Sequence, residues 1–214
     1  MIRYNRRARA LAMCLSALAG YVDAVGFIVS GGYFASFMSG NSTRFAVGLV
    51  DTATQAAIPA GLIATFVGGV VGGSVLGHHM GTHRRLALLV LIAALLALAA
   101  TGAGLGYVWL TMFVMAFAMG AENAIFERDG ETHVGLTYMT GSLVRIGHGL
   151  AGLVLGKPQP GWGAYALLWL SLTLGAVAGA VAYSRFDAAV SIWLACGWAA
   201  LLVLVVAVVP KKVV

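Results

Sequence analysis

Uncharged apolar stretches dominate the chain, and the longest cover residues 52–76, 86–121 and 188–209. A helix that crosses a bilayer needs about 20 mostly apolar residues, so each stretch predicts at least one transmembrane helix. The stretch 86–121 is too long for one helix, and its glycine-rich segment Gly102–Gly106 predicts a turn. The pattern therefore predicts an all-α integral membrane protein.

Turn-forming residues divide the chain into eight apolar elements. The breaks fall at Gly31-Gly32, at Asp51-Thr52, at Gly102–Gly106 and at the segment Lys157–Gly161. The predicted elements are 8–30, 33–50, 55–77, 86–104, 107–127, 134–156, 162–184 and 188–209.

Composition agrees with membrane insertion, because 61% of the residues are hydrophobic and only 9% are charged. The net charge of +6 comes from basic residues at the chain ends and in short connections. That distribution is typical of topology determinants rather than of a nucleic-acid-binding surface. We therefore expect the lipid bilayer as surroundings and no nucleic-acid partner.

The chain contains an internal repeat. Three blocks match in order at offsets of 100, 101 and 102 residues: 20–25 with 120–125, 37–45 with 138–146, and the pair Gly73 and Gly77 with Gly175 and Gly179. Repeats of this kind are common in transporters. We interpret the chain as one membrane domain, 1–214, built from two units of about 1–105 and 106–214. The repeated elements themselves span 8–105 in repeat one and 106–210 in repeat two.

The second element of each repeat holds a polar turn and an arginine, so its topology needs a separate argument. If all eight elements cross, seven basic residues lie inside and four outside; if the second elements are re-entrant, ten lie inside and one outside. The positive-inside rule favours six transmembrane helices plus two re-entrant or broken helices, with eight transmembrane helices as the alternative. Six crossings invert the repeats and place both termini in the cytoplasm of a bacterial inner-membrane protein.

Four charged residues lie inside apolar segments, where an unpaired charge is costly: Asp23, Arg44, Glu122 and Arg145. Two interpretations stay open. The acids and bases form two structural ion pairs that hold the repeats together, or they line a solute or proton site at the repeat interface.

The polar turns of the second elements supply further candidates for a pore or a solute site. With nearby polar residues, these candidates are Ser39, Gly40, Asn41, Asn123, Thr140, Gly141, Ser142 and His148. We expect Asn41 or Ser42 to cap the first short helix and Ser142 to cap the second. Free N–H groups at the two helix starts, together with the two arginines, would suit an anion.

Two segments carry a family resemblance. The first runs Gly20–Phe27 (GYVDAVGF) and then Phe37–Thr43 (FMSGNST), and the second is Thr137–Leu143 (TYMTGSL). They closely resemble the signatures of the YoaK-like bacterial membrane proteins, and the resemblance extends over essentially the whole chain. It implies a multi-pass membrane protein, but that family is of unknown function and supplies no substrate or catalytic residue.

These observations predict a transporter or channel for a small polar or anionic solute, with its site at the repeat interface. The alternative is a membrane scaffold or assembly partner whose buried charges are structural ion pairs. Glycines at 69, 73, 77 and 81 would allow close helix packing, which makes a homodimer possible. No enzyme motif, cofactor motif or metal-ligand spacing is present in the sequence, so we expect no enzyme, cofactor or metal.

Overall fold

A computed structural model describes residues 6–128, 131–132, 137, 139–158 and 160–208. Within these residues the α-helices are α1 Arg6–Ser30, α2 Met38–Asp51, α3 Ala53–Met80, α4 Arg84–Gly104, α5 Val108–Asn123, α6 Met139–Val154, α7 Trp162–Arg185 and α8 Ala188–Val208. Short 3-10 turns follow α3 at Gly81–His83 and α5 at Ala124–Phe126. Two-residue strands, β1 Glu127–Arg128 and β2 Glu131–Thr132, pair antiparallel between α5 and α6.

The predicted all-α membrane fold is confirmed, because the described residues are mostly helical and several helices are long and apolar enough to cross a bilayer. Among the residues that the structure describes, five segments are long and apolar enough to cross a membrane: Arg6–Ser30, Gln55–Gly104, Val108–Phe126, Trp162–Arg185 and Ala188–Val208. The 50-residue segment Gln55–Gly104 contains both α3 and α4. Gly81 divides it, because its φ of 48° is a conformation that favours glycine and ends α3.

In both predicted elements that hold a polar turn, the structure shows a helix that starts inside the predicted range. The sequence placed these elements at 33–50 and 134–156, whereas α2 begins at Met38 and α6 at Met139. For α2 the physical reason is local, because Gly31 and Gly32 have φ values of 71° and 121° and turn the chain back after α1. Residues 133–136 and 138, which fall in the predicted second element, lie outside the described residues.

The six helices other than α2 and α6 run in alternating directions between two ends of the described bundle. At the Ser30 end, Tyr33 after α1 stacks edge-on against Trp109 at the start of α5, and Gly104 of α4 faces Ala189 of α8. At the opposite, Arg6 end, Arg84 at the start of α4 contacts Ala124 after α5.

It follows that α1, α4 and α7 run toward the Ser30 end, whereas α3, α5 and α8 run away from it. The chain enters α2 and leaves it at the Ser30 end, and it enters and leaves α6 at the Arg6 end. Neither α2 nor α6 therefore carries the chain from one end of the described bundle to the other.

Glycines bring α3 and α5 into close contact. A Cβ atom on Gly69 would overlap the carbonyl oxygen of Phe117, and one on Gly120 would overlap the carbonyl oxygen of Phe66. Small residues at such crossings let two helix backbones approach within contact distance.

The helices α1 and α7 cross in the same way. A Cβ atom on Gly20 would overlap the carbonyl oxygen of Leu172, and one on Gly175 would overlap the carbonyl oxygen of Ala17. Of the glycines that suggested a homodimer, Gly69 and Gly73 face α5 of the same chain, whereas a Cβ atom on Gly81 would meet nothing within 4 Å.

The core lies between α1, α4 and α5, and the outer faces of the bundle are apolar and exposed. Leu15, Ile92 and Met115 are fully buried in that core. Several large apolar residues on the outer faces of α3, α7 and α8 are more than half exposed, for example Val71 and Leu174. Such faces are suited to lipid, so the protein is a membrane protein in contact with the bilayer.

Candidate functional site

Asp23, in the last third of α1, is bound by the turn that precedes α2. Its carboxylate oxygens accept hydrogen bonds from the backbone N–H of Ser36 at 2.7 Å and from the hydroxyl of Ser36 at 2.5 Å. Asp23 lies seven residues before the end of α1, so the turn reaches about 10 Å back along that helix. The segment between α1 and α2 therefore re-enters the bundle from the Ser30 end.

The start of α2 faces a carboxylate that belongs to the protein. Ser36 and Phe37 immediately precede the first helical residue, Met38, and a helix N-terminus favours negative charge. The anion site expected at this helix start stays a prediction, and an acidic side chain of the protein, Asp23, already lies there. Neither Asn41 nor Ser42 caps α2, which contradicts the predicted cap.

Asn41 holds the re-entrant turn in place. Its side-chain oxygen accepts from the N–H of Phe34 at 3.1 Å, and its side-chain amide donates to the carbonyl of Phe34 at 2.8 Å. Asn41 is fully buried, so both bonds satisfy polar groups that would otherwise be costly. Ser42 instead donates to the carbonyl of Met38, one turn back along α2.

The remaining candidates on α2 lie outside this buried turn. Gly40 packs under the rings of Phe34 and Phe37, where a Cβ atom would have no room. Ser39 and Arg44 are exposed. The Arg44 guanidinium lies over the ring of Tyr33, 5.0 Å from its centroid.

The corresponding helix α6 places its candidates in a similar way. Ser142 is buried, whereas Thr140, Gly141 and His148 are exposed. Arg145 is also exposed and lies over the ring of Tyr165, with 4.7 Å between its guanidinium carbon and the ring centroid. Ser142 lies inside α6, three residues after Met139, so the prediction that it caps this helix is wrong.

The predicted ion pairs between the acids and these arginines do not form. Arg44 and Arg145 stack on aromatic rings at the surface, which stabilises a cation without a carboxylate. Asp23 is satisfied by Ser36.

Glu122, near the end of α5, is the unexpected member of the set. Its side chain is fully buried, and within the described part of the chain neither carboxylate oxygen has a hydrogen-bond partner. Asp23 is close enough to repel it electrostatically. Asn123 is also buried; its amide donates to the carbonyl of Met119 at 2.9 Å, while its side-chain oxygen likewise has no partner among the described residues.

The sequence interpretation missed a polar cluster at the Arg6 end. Arg84 donates to a carboxylate oxygen of Glu127 at 2.6 Å and to the carbonyl of Ala124 at 2.9 Å, and Ser74 donates to the same oxygen of Glu127 at 2.5 Å. Gly77 leaves room for the Arg84 side chain, because a Cβ atom there would lie 2.7 Å from it.

Two surface clefts of the bundle lie away from both acids. One, of about 270 Å³, is lined by Arg6, Arg9, Met13, Ala164 and Leu167, and the other, of about 330 Å³, lies between α4 and α8. Neither touches Asp23, which is half-buried, or Glu122, which is fully buried.

The fold and its apolar faces define a multi-pass transmembrane protein, and comparison with known proteins agrees. The chain is 42% identical over 172 residues to a UPF0700 transmembrane protein of Rhizobium meliloti (strain 1021), which covers 80% of this chain and 74% of the relative. No solved structure shows a significant match to the chain. The family model described as "Protein of unknown function (DUF1275)" matches residues 11–206, so the chain belongs to that family. The resemblance to a membrane protein family of unknown function is thereby confirmed.

Proposed function

We propose that the protein is a transporter of the bacterial inner membrane for a small polar solute. Its site lies where the two halves of the chain meet, at Asp23 and Glu122. The observation that carries the proposal is Glu122, an acid that is fully buried and without a hydrogen bond in the described structure. Ionisable residues inside a membrane bundle are costly, and they commonly mark a solute or proton path.

Two inverted halves are part of the proposal, and the helix crossings support them. The contact of α1 with α7 is made at Gly20 and Gly175, and the contact of α5 with α3 is made at Gly120 and Gly69. Gly20 and Gly120 are matched positions in the sequence repeat. The antiparallel pair α4 and α8 joins the last helix of each half, with the thiol of Cys196 donating to the carbonyl of Ala93 at 3.3 Å. In many transporters the substrate site lies at such an interface between inverted repeats.

We propose six crossings, with α2 and α6 entering from opposite faces. Arg6, Arg84, Arg145 and Lys157 all lie at the Arg6 end, whereas Arg44 and Arg185 lie at the Ser30 end. The positive-inside rule then assigns the Arg6 end and both termini to the cytoplasm.

This topology has a direct test. In a background without Cys14 and Cys196, a single cysteine replacing the exposed Thr82 should resist a membrane-impermeant thiol reagent added to whole cells. A cysteine replacing Phe186, which is 53% exposed at the other end, should be labelled. The reverse pattern would contradict the assignment.

The solute is proposed to be neutral or cationic rather than anionic. Asp23, a half-buried acid, fills the anion-favouring start of α2, and the fully buried Glu122 is also acidic. Both arginines lie at the surface on aromatic rings, so they do not offset these acids. The proposal gives the protein no catalytic role and no cofactor.

The test is a solute-flux screen in proteoliposomes with matched variants. For any solute that the parent protein moves, Glu122→Gln should abolish flux while leaving the protein folded. The control is Asp51→Asn, which neutralises an exposed acid at the end of α2 and should leave flux unchanged. Full flux in Glu122→Gln would show that Glu122 does not lie on the solute path.

A scaffold role is the second candidate, because one surface observation favours it. The exposed faces of α2 and α6 carry large apolar residues, with Val50 90% and Val154 86% exposed. A partner or a second copy of the chain bound there would cover them. Absence of flux for every solute, together with crosslinks from these two positions to another protein, would favour this role.

A further inference from the structure

We propose that Glu122 binds a proton inside the membrane and that this proton is the coupling ion of the transporter. The inference rests on the proposed function, since it names the ion that the buried acid carries. Its basis is geometric: the Glu122 side chain is 0% exposed, and the described residues offer no hydrogen bond to either carboxylate oxygen.

An ionised Glu122 would be a buried charge without compensation. Transfer of an unpaired carboxylate to an apolar interior costs several kcal/mol even after relaxation of the surroundings. A bound proton removes that charge, so the site is suited to a group that gains and loses a proton as its surroundings change.

The helices packed against α5 supply no free positive charge to the site. From α1, Asp23 contributes a second acid. From α4, Arg84 is engaged by Glu127 and Ala124, and Arg85 lies over the ring of Phe126 at 5.7 Å.

The third neighbour, α3, carries no acid or base along its length before His78 and His79. Both of these histidines are exposed at the Arg6 end of the bundle.

The number of free oxygen atoms favours a proton over a metal cation. The partnerless oxygens are the two of Glu122 and one of Asn123. Hard metal cations take about six to eight oxygen ligands, whereas a proton needs one carboxylate oxygen. Within the described ranges, no group of three or more His, Cys, Asp or Glu residues is arranged to hold a metal ion.

The two acids then have different tasks. Asp23 is held by two hydrogen bonds from Ser36, which fixes the re-entrant turn against α1. Glu122 has no such partner and is free to exchange its proton. In the repeat, Asn123 takes the position of Asp23, so the exchangeable acid belongs to the second half alone.

The experiment is infrared spectroscopy of the full chain in lipid nanodiscs, with and without ¹³C-labelled glutamate. At neutral pH we expect a protonated carboxylic acid C=O band that shifts with the label and is lost in Glu122→Gln. The same band should remain in Asp51→Asn. The label separates Glu122 from Asp23 without any mutation, and of the other two glutamates Glu127 is ion-paired with Arg84.

Three results would overturn the assignment. One is the absence of a glutamic acid band at every pH at which the protein stays folded. Another is a band that persists at full intensity in Glu122→Gln. The third is a band that disappears when sodium chloride replaces choline chloride at constant pH, which would make sodium the ion.

Two points keep the test decisive. If Glu122→Gln does not fold, the label shift in the parent protein and persistence of the band in Asp23→Asn decide the assignment. The infrared measurement uses no solute, so its result does not depend on the flux screen. A flux screen that fails would reject the proposed function and leave the infrared result unchanged. Flux that ignores a pH gradient would reject the coupling role even where the band is present.

Discussion

Replacing Gly69 with alanine tests the close crossing of α3 and α5. The added methyl carbon would overlap the carbonyl oxygen of Phe117 and lie 2.9 Å from its carbonyl carbon and its Cα atom. These are backbone atoms of a packed helix, so no side-chain rotation relieves the overlap. Gly197 in α8 is the matched control, because a methyl there meets nothing within 4 Å.

The expected difference follows from two opposing terms. Alanine stabilises a helix interior by about 1 kcal/mol relative to glycine, and both variants gain this. Overpacking costs about 1–3 kcal/mol, and Gly69→Ala alone incurs it. We therefore expect Gly69→Ala to be less stable than Gly197→Ala by about 1–3 kcal/mol.

The native cysteines provide the assay. Cys14 and Cys196 are free and half-buried, so a thiol-reactive dye should label them as the helices separate on heating in detergent. Gly69→Ala should reach half-labelling several degrees below Gly197→Ala. Equal midpoints would refute the argument, since they would mean that α3 and α5 do not approach as closely as the structure shows.

Two further perturbations test the polar contacts at the two ends of the bundle. Arg84→Gln should destabilise the protein by about 1–3 kcal/mol, since it leaves a partly buried carboxylate without its charge-assisted bond. Arg85→Gln should cost less, and a double-mutant cycle of Arg84 with Glu127 should show coupling if the pair acts as a unit. At the other end, Ser36→Ala leaves Asp23 with its backbone bond and should weaken the turn less than Asp23→Ala does. Dye labelling measures the stability of each variant. Equal loss in Ser36→Ala and Asp23→Ala would place the main contribution in the hydroxyl bond.

The helix boundaries were largely predictable, because glycine and charge end apolar runs in this chain. The predicted element 86–104 corresponds to α4 at Arg84–Gly104, and 162–184 corresponds to α7 at Trp162–Arg185. The ends of these two helices follow from the sequence pattern. Inside a membrane the backbone must be helical to satisfy its own polar groups, so each helix extends as far as its apolar run.

The partners of the charged residues were not predictable from the same pattern. Opposite charges inside apolar segments suggested ion pairs, but the partner of each charged side chain depends on which way its helix faces. Asp23 meets Ser36 because the turn after Gly32 folds back along α1, and Arg44 meets Tyr33 on that same turn. Nothing in the spacing of Asp23 and Arg44 carries this information.

The long-range crossings have a consequence for how the chain is made. The main glycine contacts of α1 are to α7, and those of α3 are to α5, so the first half leaves the ribosome without the surfaces that its helices pack against. During synthesis, α1 therefore lies in the bilayer without its main partner helix until Gly175 and the rest of α7 have been inserted. A chain ended after α4 would therefore expose glycine-lined faces to lipid and to quality-control proteases. The two halves, expressed as separate fragments in one cell, should assemble with each other more readily than either folds alone.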